Sequence, residues 1–226
     1  MTIIRTKAVI LDLDGTLVDS AEAYLEAANT ALAAINLPPT SLSKALEIGK
    51  CLELGFTVDK IVSFFTPDTT QKTIKNFREA YAKAYHNASI DKIKLIPGAK
   101  ATLEKIAKTF PLGIVTRRFT TNKIVWEQLR LLEIAPYFRA VITRFDVKHP
   151  KPAPDCIVKC AAELNVQTNA CTVVGDSVAD IRAGKSANSK TIAVLTGLFW
   201  ENELKLEEPD LIIKDITELP NHLVRC

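Results

Sequence analysis

Val9-Ile10-Leu11-Asp12-Leu13-Asp14-Gly15-Thr16-Leu17-Val18-Asp19-Ser20 joins an apolar run to two carboxylates and a glycine. Asp12 and Asp14 are two residues apart, so on a strand they face the same side. Carboxylates placed together repel one another and resist desolvation. A divalent cation at the strand end turns that conflict into a site. Gly15 then lets the chain turn sharply.

Residues 7–12 read as a buried strand, short, apolar and rich in β-branched side chains. The segment after it changes character. Ser20 is placed to cap a helix with Ala21, Tyr24, Leu25, Ala28, Leu32 and Ile35 on its apolar side, stopped by Pro38-Pro39. Residues 41–54, 58–65 and 69–86 read as further helices, with breaks at Gly55 and Pro67. No strand alternation occurs between residue 20 and about residue 88, so this stretch is an all-helical insertion.

After Pro97-Gly98 helices and strands alternate. The pattern predicts helices at 99–108, 120–132, 154–164 and 178–187, and strands at 112–116, 140–143, 171–175, 191–195 and 211–213. Strands separated by helices of this length argue for βαβ units. The expectation is an α/β fold: a Rossmann-like parallel sheet core of about five or six strands, with helices on both faces and an inserted all-α helical cap. The core takes residues 1–17 and 90–226 and the cap takes 18–89, with crossings near 18–21 and 90–96 acting as hinges.

Composition sets the class. The chain has 226 residues, 47% hydrophobic and 24% charged, enough for a real core in one large or two small domains and not a pattern of disorder. A net charge of +3, with no basic tract, does not indicate nucleic-acid binding, although it helps attract an anionic substrate. The longest N-terminal apolar run, residues 8–11, is too short for a signal segment or a membrane span. The expected setting is cytoplasmic, with no membrane and no nucleic-acid partner. The five cysteines, Cys51, Cys156, Cys160, Cys171 and Cys226, are read as reduced thiols. Cys156 and Cys160 lie one helical turn apart, but His149 alone stands near them, too few ligands for a structural metal.

Three further pieces stand at the carboxyl ends of predicted strands: Ile114-Val115-Thr116, then Lys151-Pro152 with Pro154, then Val173-Val174-Gly175-Asp176-Ser177-Val178-Ala179-Asp180. In an open α/β sheet that edge is where ligands bind. It gathers Asp12, Asp14, Thr116, Lys151, Asp176 and Asp180. A carboxylate such as Asp12 can attack phosphorus and split one hard displacement into two easier steps. Asp14 suits general acid/base work, and its side chain must be free to turn toward the leaving group. Thr116 ends its strand with a hydroxyl; it and the Arg117 main-chain N–H can donate to phosphate oxygens, although strand-ending threonines are common. The prolines around Lys151 restrict where its amine can go, and a fixed ammonium stabilises charge on a transferring phosphoryl group. Asp180 either binds metal-bound water, orients Lys151 or complements a helix N-terminus. Asp19 reads as a turn or capping residue.

These four pieces, in this order from about Lys7 to Leu219, resemble the motifs of the haloacid dehalogenase superfamily, most of whose members are Mg-dependent phosphohydrolases. The tail after Thr191 and the small helical cap with Ile48-Gly49 are most similar to its phosphoglycolate phosphatase-like branch. The resemblance implies Mg²⁺ held by Asp12, the main-chain carbonyl of Asp14 and Asp176, with Asp180 nearby. It also implies an aspartyl-phosphate on Asp12 and a cap that selects the substrate. Gly49 and Lys50 match the part of the cap that faces the site in relatives, and Lys50 suits a second anionic group, or is an exposed lysine beside a helix break. Arg117-Arg118 departs from the family, where a small or amide residue often follows the threonine; the pair either clamps a substrate anion or is a solvated loop charge.

The function expected is a phosphatase for a small phosphomonoester, working as a monomer or weak homodimer on a small anionic phosphorylated substrate, with phosphoglycolate the working guess. A β-phosphoglucomutase-like phosphomutase, a pyrophosphatase and a non-catalytic binding protein are the alternatives. The last is disfavoured because no catalytic position has lost its residue. Asp14 argues against a dehalogenase, whose halide leaves without a proton.

Overall fold

The structure is a computed structural model that describes residues 2–118 and 120–226, except the side chains of residues 89–91. The chain runs β1 (Ile4–Thr6), β2 (Ala8–Leu11), β3 (Val18–Asp19), α1 (Ala21–Ala33), α2 (Leu42–Glu53), α3 (Val58–Val62) and α4 (Gln71–Asp91). It continues through β4 (Lys94–Leu95), α5 (Ala99–Ala107), β5 (Leu112–Val115), α6 (Asn122–Leu131), β6 (Phe138–Ile142) and α7 (Asp155–Glu163). It ends with β7 (Cys171–Gly175), α8 (Val178–Ser186), β8 (Lys190–Val194), α9 (Glu201–Lys205), β9 (Leu211–Ile213) and β10 (Leu223–Arg225). Two compact units result: Met1–Asp19 with Lys94–Cys226, and Ser20–Ile93.

The first unit holds a parallel six-stranded sheet in the order β6-β5-β2-β7-β8-β9. Its central strand, β2, is buried at every residue, which explains its unbroken apolar run. Side chains alternate across the sheet, and one face gathers Ala8, Ile10, Val115, Ala140, Ile142, Cys171 and Val173. Against it α7 sets Cys156, Ile157, Cys160, Ala161 and Leu164. Fully burying a side chain such as Ile10 contributes about 1.5–3 kcal/mol. From β2 the chain moves to β5 and β6 on one side, then returns to β7, β8 and β9 on the other. The strand order therefore reverses between β2 and β7, and the carboxyl ends of strands at such a reversal are where ligands bind in open α/β sheets.

The second unit is all helical. Its core packs Ala27, Ala28, Ala31 and Leu32 of α1 with Ala45 and Ile48 of α2, Ile61 and Val62 of α3, and Phe77 and Tyr81 of α4. Phe77, Tyr81 and Tyr85 stand four residues apart on α4 and stack along one face, with ring centroids 6.1 and 6.3 Å apart.

Several elements differ from the sequence expectation. The buried side of α1 is centred on Ala23, Ala27, Ala28, Ala31 and Leu32, because small side chains let helices approach closely; Tyr24, Leu25 and Ile35 lie at its margin. Ser20 occupies the N-cap position, but its side chain makes no capping bond. Helix α3 stops at Val62 instead of residue 65, since the Phe64 and Phe65 N–H groups bond three residues back and tighten the last turn. Helix α4 runs on to Asp91. Strand β6 begins at Phe138, and α9 was not expected. Strands β1 and β10 pair in parallel, Ile4 with Leu223 and Thr6 with Arg225; three residues each carry too little periodicity to be seen.

The crossings also differ in detail. Val18 pairs with Leu95 and Asp19 with Lys94 in a short antiparallel ladder separate from the six-stranded sheet, and residues 18 and 19 group with the first unit and residues 90–93 with the second. Asp19, expected as a turn or capping residue, is a strand residue. The side chains of residues 90 and 91, within the expected second crossing, lie outside the described residues. No helix among the described residues is long and apolar enough to cross a membrane.

Candidate active site

Asp12 follows β2 directly, and its N–H bonds to the Val174 carbonyl of β7 at 2.9 Å. Register sets Leu11 level with Ile114 on one side and Val174 on the other. Thr116 and Asp176, which follow β5 and β7, therefore flank Asp12 at the same sheet edge. The carboxylates of Asp12, Asp176 and Asp180, all buried, bring ligand oxygens within 4.8 Å of one another.

Lys151 reaches this cluster from the loop after β6 and is 3% exposed. Its Nζ donates to Asp12 Oδ1 at 2.7 Å, Asp180 Oδ1 at 2.5 Å and the Val115 carbonyl at 3.1 Å. Three acceptors use all the hydrogens of the ammonium and fix its position. Burial disfavours that charge, but Asp12 and Asp180 together hold its pKa above the ordinary lysine value. The Lys151–Pro152 peptide bond is cis.

The Asp12 pKa is raised to about 8: burial raises it most, Lys151 pulls it down, and Asp180 and Asp14 push it up. A buried carboxylate group with so little cationic compensation suits a divalent cation, whose charge would stabilise the ionised form. The donor set is all oxygen, as a hard cation requires.

The surrounding loops hold Asp176 closely. Gly15, at φ 79°, adopts a left-handed turn, and a Cβ there would stand 2.6 Å from Asp176 Oδ2. A Cβ on Gly197 would come within 1.7 Å of the same oxygen. Thr16 Oγ1 donates to Asp176 Oδ1 at 3.1 Å, and the Leu198 N–H donates to Oδ2 at 3.3 Å. The loop after β8 is tied in by Thr196 Oγ1, which donates to the Gly15 carbonyl at 2.6 Å.

Asp180 combines two of the roles open in the sequence. Its Oδ2 accepts from the Ser177 N–H at 3.1 Å and Oγ at 2.6 Å, while the Asp180 N–H donates to Ser177 Oγ at 3.2 Å. This capping box starts α8, and the other oxygen orients Lys151. Thr116 is buried, and its hydroxyl oxygen accepts from the Arg118 N–H at 3.2 Å.

Arg118 is not the solvated loop charge that was one reading of Arg117-Arg118. Its side chain is 3% exposed and forks onto Asp14, Nε to Oδ2 and Nη2 to Oδ1, both at 2.6 Å. Its Nη1 donates to Gln128 Oε1 of α6. Arg117 is half-buried, and its charge acts, after burial, to lower the Arg144 pKa. Gly49 and Lys50 lie on α2 of the helical unit, Gly49 buried and Lys50 half-buried.

Thr16, Ser177, Gly197 and Gln128 were not singled out by sequence as site residues. Ser177-x-x-Asp180 carries a capping-box signature that could have placed Ser177. Nothing local to Arg118 or Gln128 announces their partners.

Residues 9–194 match the family model described as haloacid dehalogenase-like hydrolase. A phosphoglycolate phosphatase of Photorhabdus laumondii is 30% identical, over 94% of this chain and 90% of that protein. Its counterpart in Escherichia coli K12 is 29% identical over the same shares. A hydrolase from Pseudomonas syringae has a similar structure, with a TM-score of 0.73 and 26% identity over 96% of this chain and 97% of that one.

Proposed function

The chain belongs to the haloacid dehalogenase-like hydrolase family, and on that footing we propose that it hydrolyses a small phosphomonoester through an aspartyl-phosphate, with phosphoglycolate the first substrate to test. The observation that carries this reading is Asp12 at the switch-point strand end, bonded to Lys151, with the Asp176 and Asp180 carboxylates beside it.

In this reading Asp12 attacks phosphorus as the bond to the leaving oxygen breaks, and an aspartyl-phosphate forms. Asp14 gives a proton to that oxygen, then takes one from the water that attacks the aspartyl-phosphate. Lys151 stabilises the carboxylate and the charge spread over the phosphoryl oxygens. The Thr116 hydroxyl and the Arg117 N–H donate to those oxygens. Asp180 keeps Lys151 in place. A divalent cation, proposed as Mg²⁺ held by Asp12, the Asp14 carbonyl and Asp176, would supply neutralisation between carboxylate and phosphate. Gly49 and Lys50 are kept as substrate-binding residues on the sequence reading alone. The five unpaired cysteines support a cytoplasmic setting.

The test is phosphate release from phosphoglycolate, pyrophosphate and several sugar phosphates, with Mg²⁺ and with EDTA. Metal-dependent release concentrated on a phosphomonoester, lost in Asp12→Asn, is the expected result. A rate unchanged in Asp12→Asn would overturn the proposal.

A further inference from the structure

Asp14 must turn toward the leaving oxygen to do acid work, yet both of its carboxylate oxygens accept from one guanidinium. Arg118 is itself fixed. Its Nη1 is anchored on buried Gln128, and its N–H is bonded to Thr116, so fork and phosphate-binding threonine share one loop. A buried arginine with two-point contact to a carboxylate is not a solvated surface charge; its desolvation is offset only while those partners stay in place. We propose that Arg118 is a positioning residue that latches Asp14 in a resting orientation, from which the acid step of phosphomonoester hydrolysis must release it. This rests on the phosphomonoesterase reading above.

An oxygen accepting a guanidinium hydrogen is not at the same time the donor to a departing ester oxygen. Asp14 therefore comes off at least one nitrogen and takes up a proton from water, and that proton passes to the leaving oxygen while the Asp12–phosphorus bond forms and the phosphorus–ester bond breaks. Asp14 is left as a carboxylate, which the fork re-engages. The latch slows substrates that leave as alkoxides and need the proton. It leaves aryl phosphates, whose phenolate departs unprotonated, much less affected.

The experiment compares kcat/KM for p-nitrophenyl phosphate with that for the best alkyl phosphate of the panel, in Mg²⁺. This parameter reports the steps through leaving-group departure, and the alkyl-to-aryl ratio is independent of how much enzyme is folded. In Arg118→Met the ratio is expected to rise about tenfold, the scale of a buried charge-assisted hydrogen bond. Arg118→Lys, whose ammonium cannot reproduce the planar fork, should raise it less. In an Asp14→Asn background the Arg118→Met change should no longer move it. A ratio that stays level or falls in both Arg118 variants would overturn the latch alone. No phosphate release from either compound by the unaltered enzyme would overturn the phosphomonoesterase reading, and the latch with it.

Discussion

Lys151 Nζ lies 2.7 Å from Asp12 Oδ1 across 139 positions of sequence, and the same nitrogen bonds Asp180. One ammonium thus compensates two buried carboxylates. Removing it leaves both without their cation, the costly way to break a buried ion network. Lys151→Met should lose activity and about 3–5 kcal/mol of stability, read as a lower urea midpoint. Adding Asp180→Asn should recover part of the stability but not the activity. A full-stability Lys151→Met protein would contradict the arrangement.

Asp12 gives the metal-free protein a pH signature. Its folded pKa, about 8, lies above the ordinary 3.8, so the folded state holds a proton that the unfolded chain has released. Stability from this group is fully present below about pH 4 and is lost as pH rises through 8. Lys151, Asp180 and Asp14 act on it together. In EDTA the urea midpoint should decline over this window, and Asp12→Asn should flatten the decline.

Gly197 touches the acidic cluster without contributing a side chain. A Cβ there would stand 1.7 Å from Asp176 Oδ2, so Gly197→Ala must displace that carboxylate. The variant should need about tenfold more divalent metal for half-maximal activity, as supporting residues around metal sites commonly do when altered. An unchanged metal titration would mean that Asp176 does not hold the ion.

The thiols should separate by burial. Cys226 is exposed, whereas Cys156, Cys160 and Cys171 are buried, and burial raises the thiol pKa of all three, that of Cys171 to about 11. Since thiolate is the reacting form, Cys226 should react first with a disulfide reagent at pH 8, and these three only on unfolding. Rapid modification of Cys160 in the native protein would contradict its place between α7 and the sheet.

Much of this was legible in the sequence because it is local. The apolar run of β2 had to be buried on both faces, and the carboxylates that end it had to lie at a sheet edge. The helix–strand alternation after Pro97 led to parallel pairing, since βαβ crossovers run one way. Asp12, Thr116, Lys151 and Asp176 were each found as strand-end or proline-bounded residues. The alanine seam of α1 was harder, because a close helix contact selects small side chains that a hydrophobic stripe does not reveal.

Sequence alone determined the fold class and the placing of Asp12 and Asp14 at a strand end, since strand periodicity and adjacent carboxylates are written into neighbouring residues. Only the tertiary structure decided where the charges go. Arg118 meets Asp14 across 104 positions, and Lys151 meets Asp12 and Asp180 from a separate loop. Partner choice among buried ions depends on which side chains the packed sheet brings within bonding distance, and no short window of sequence carries that geometry.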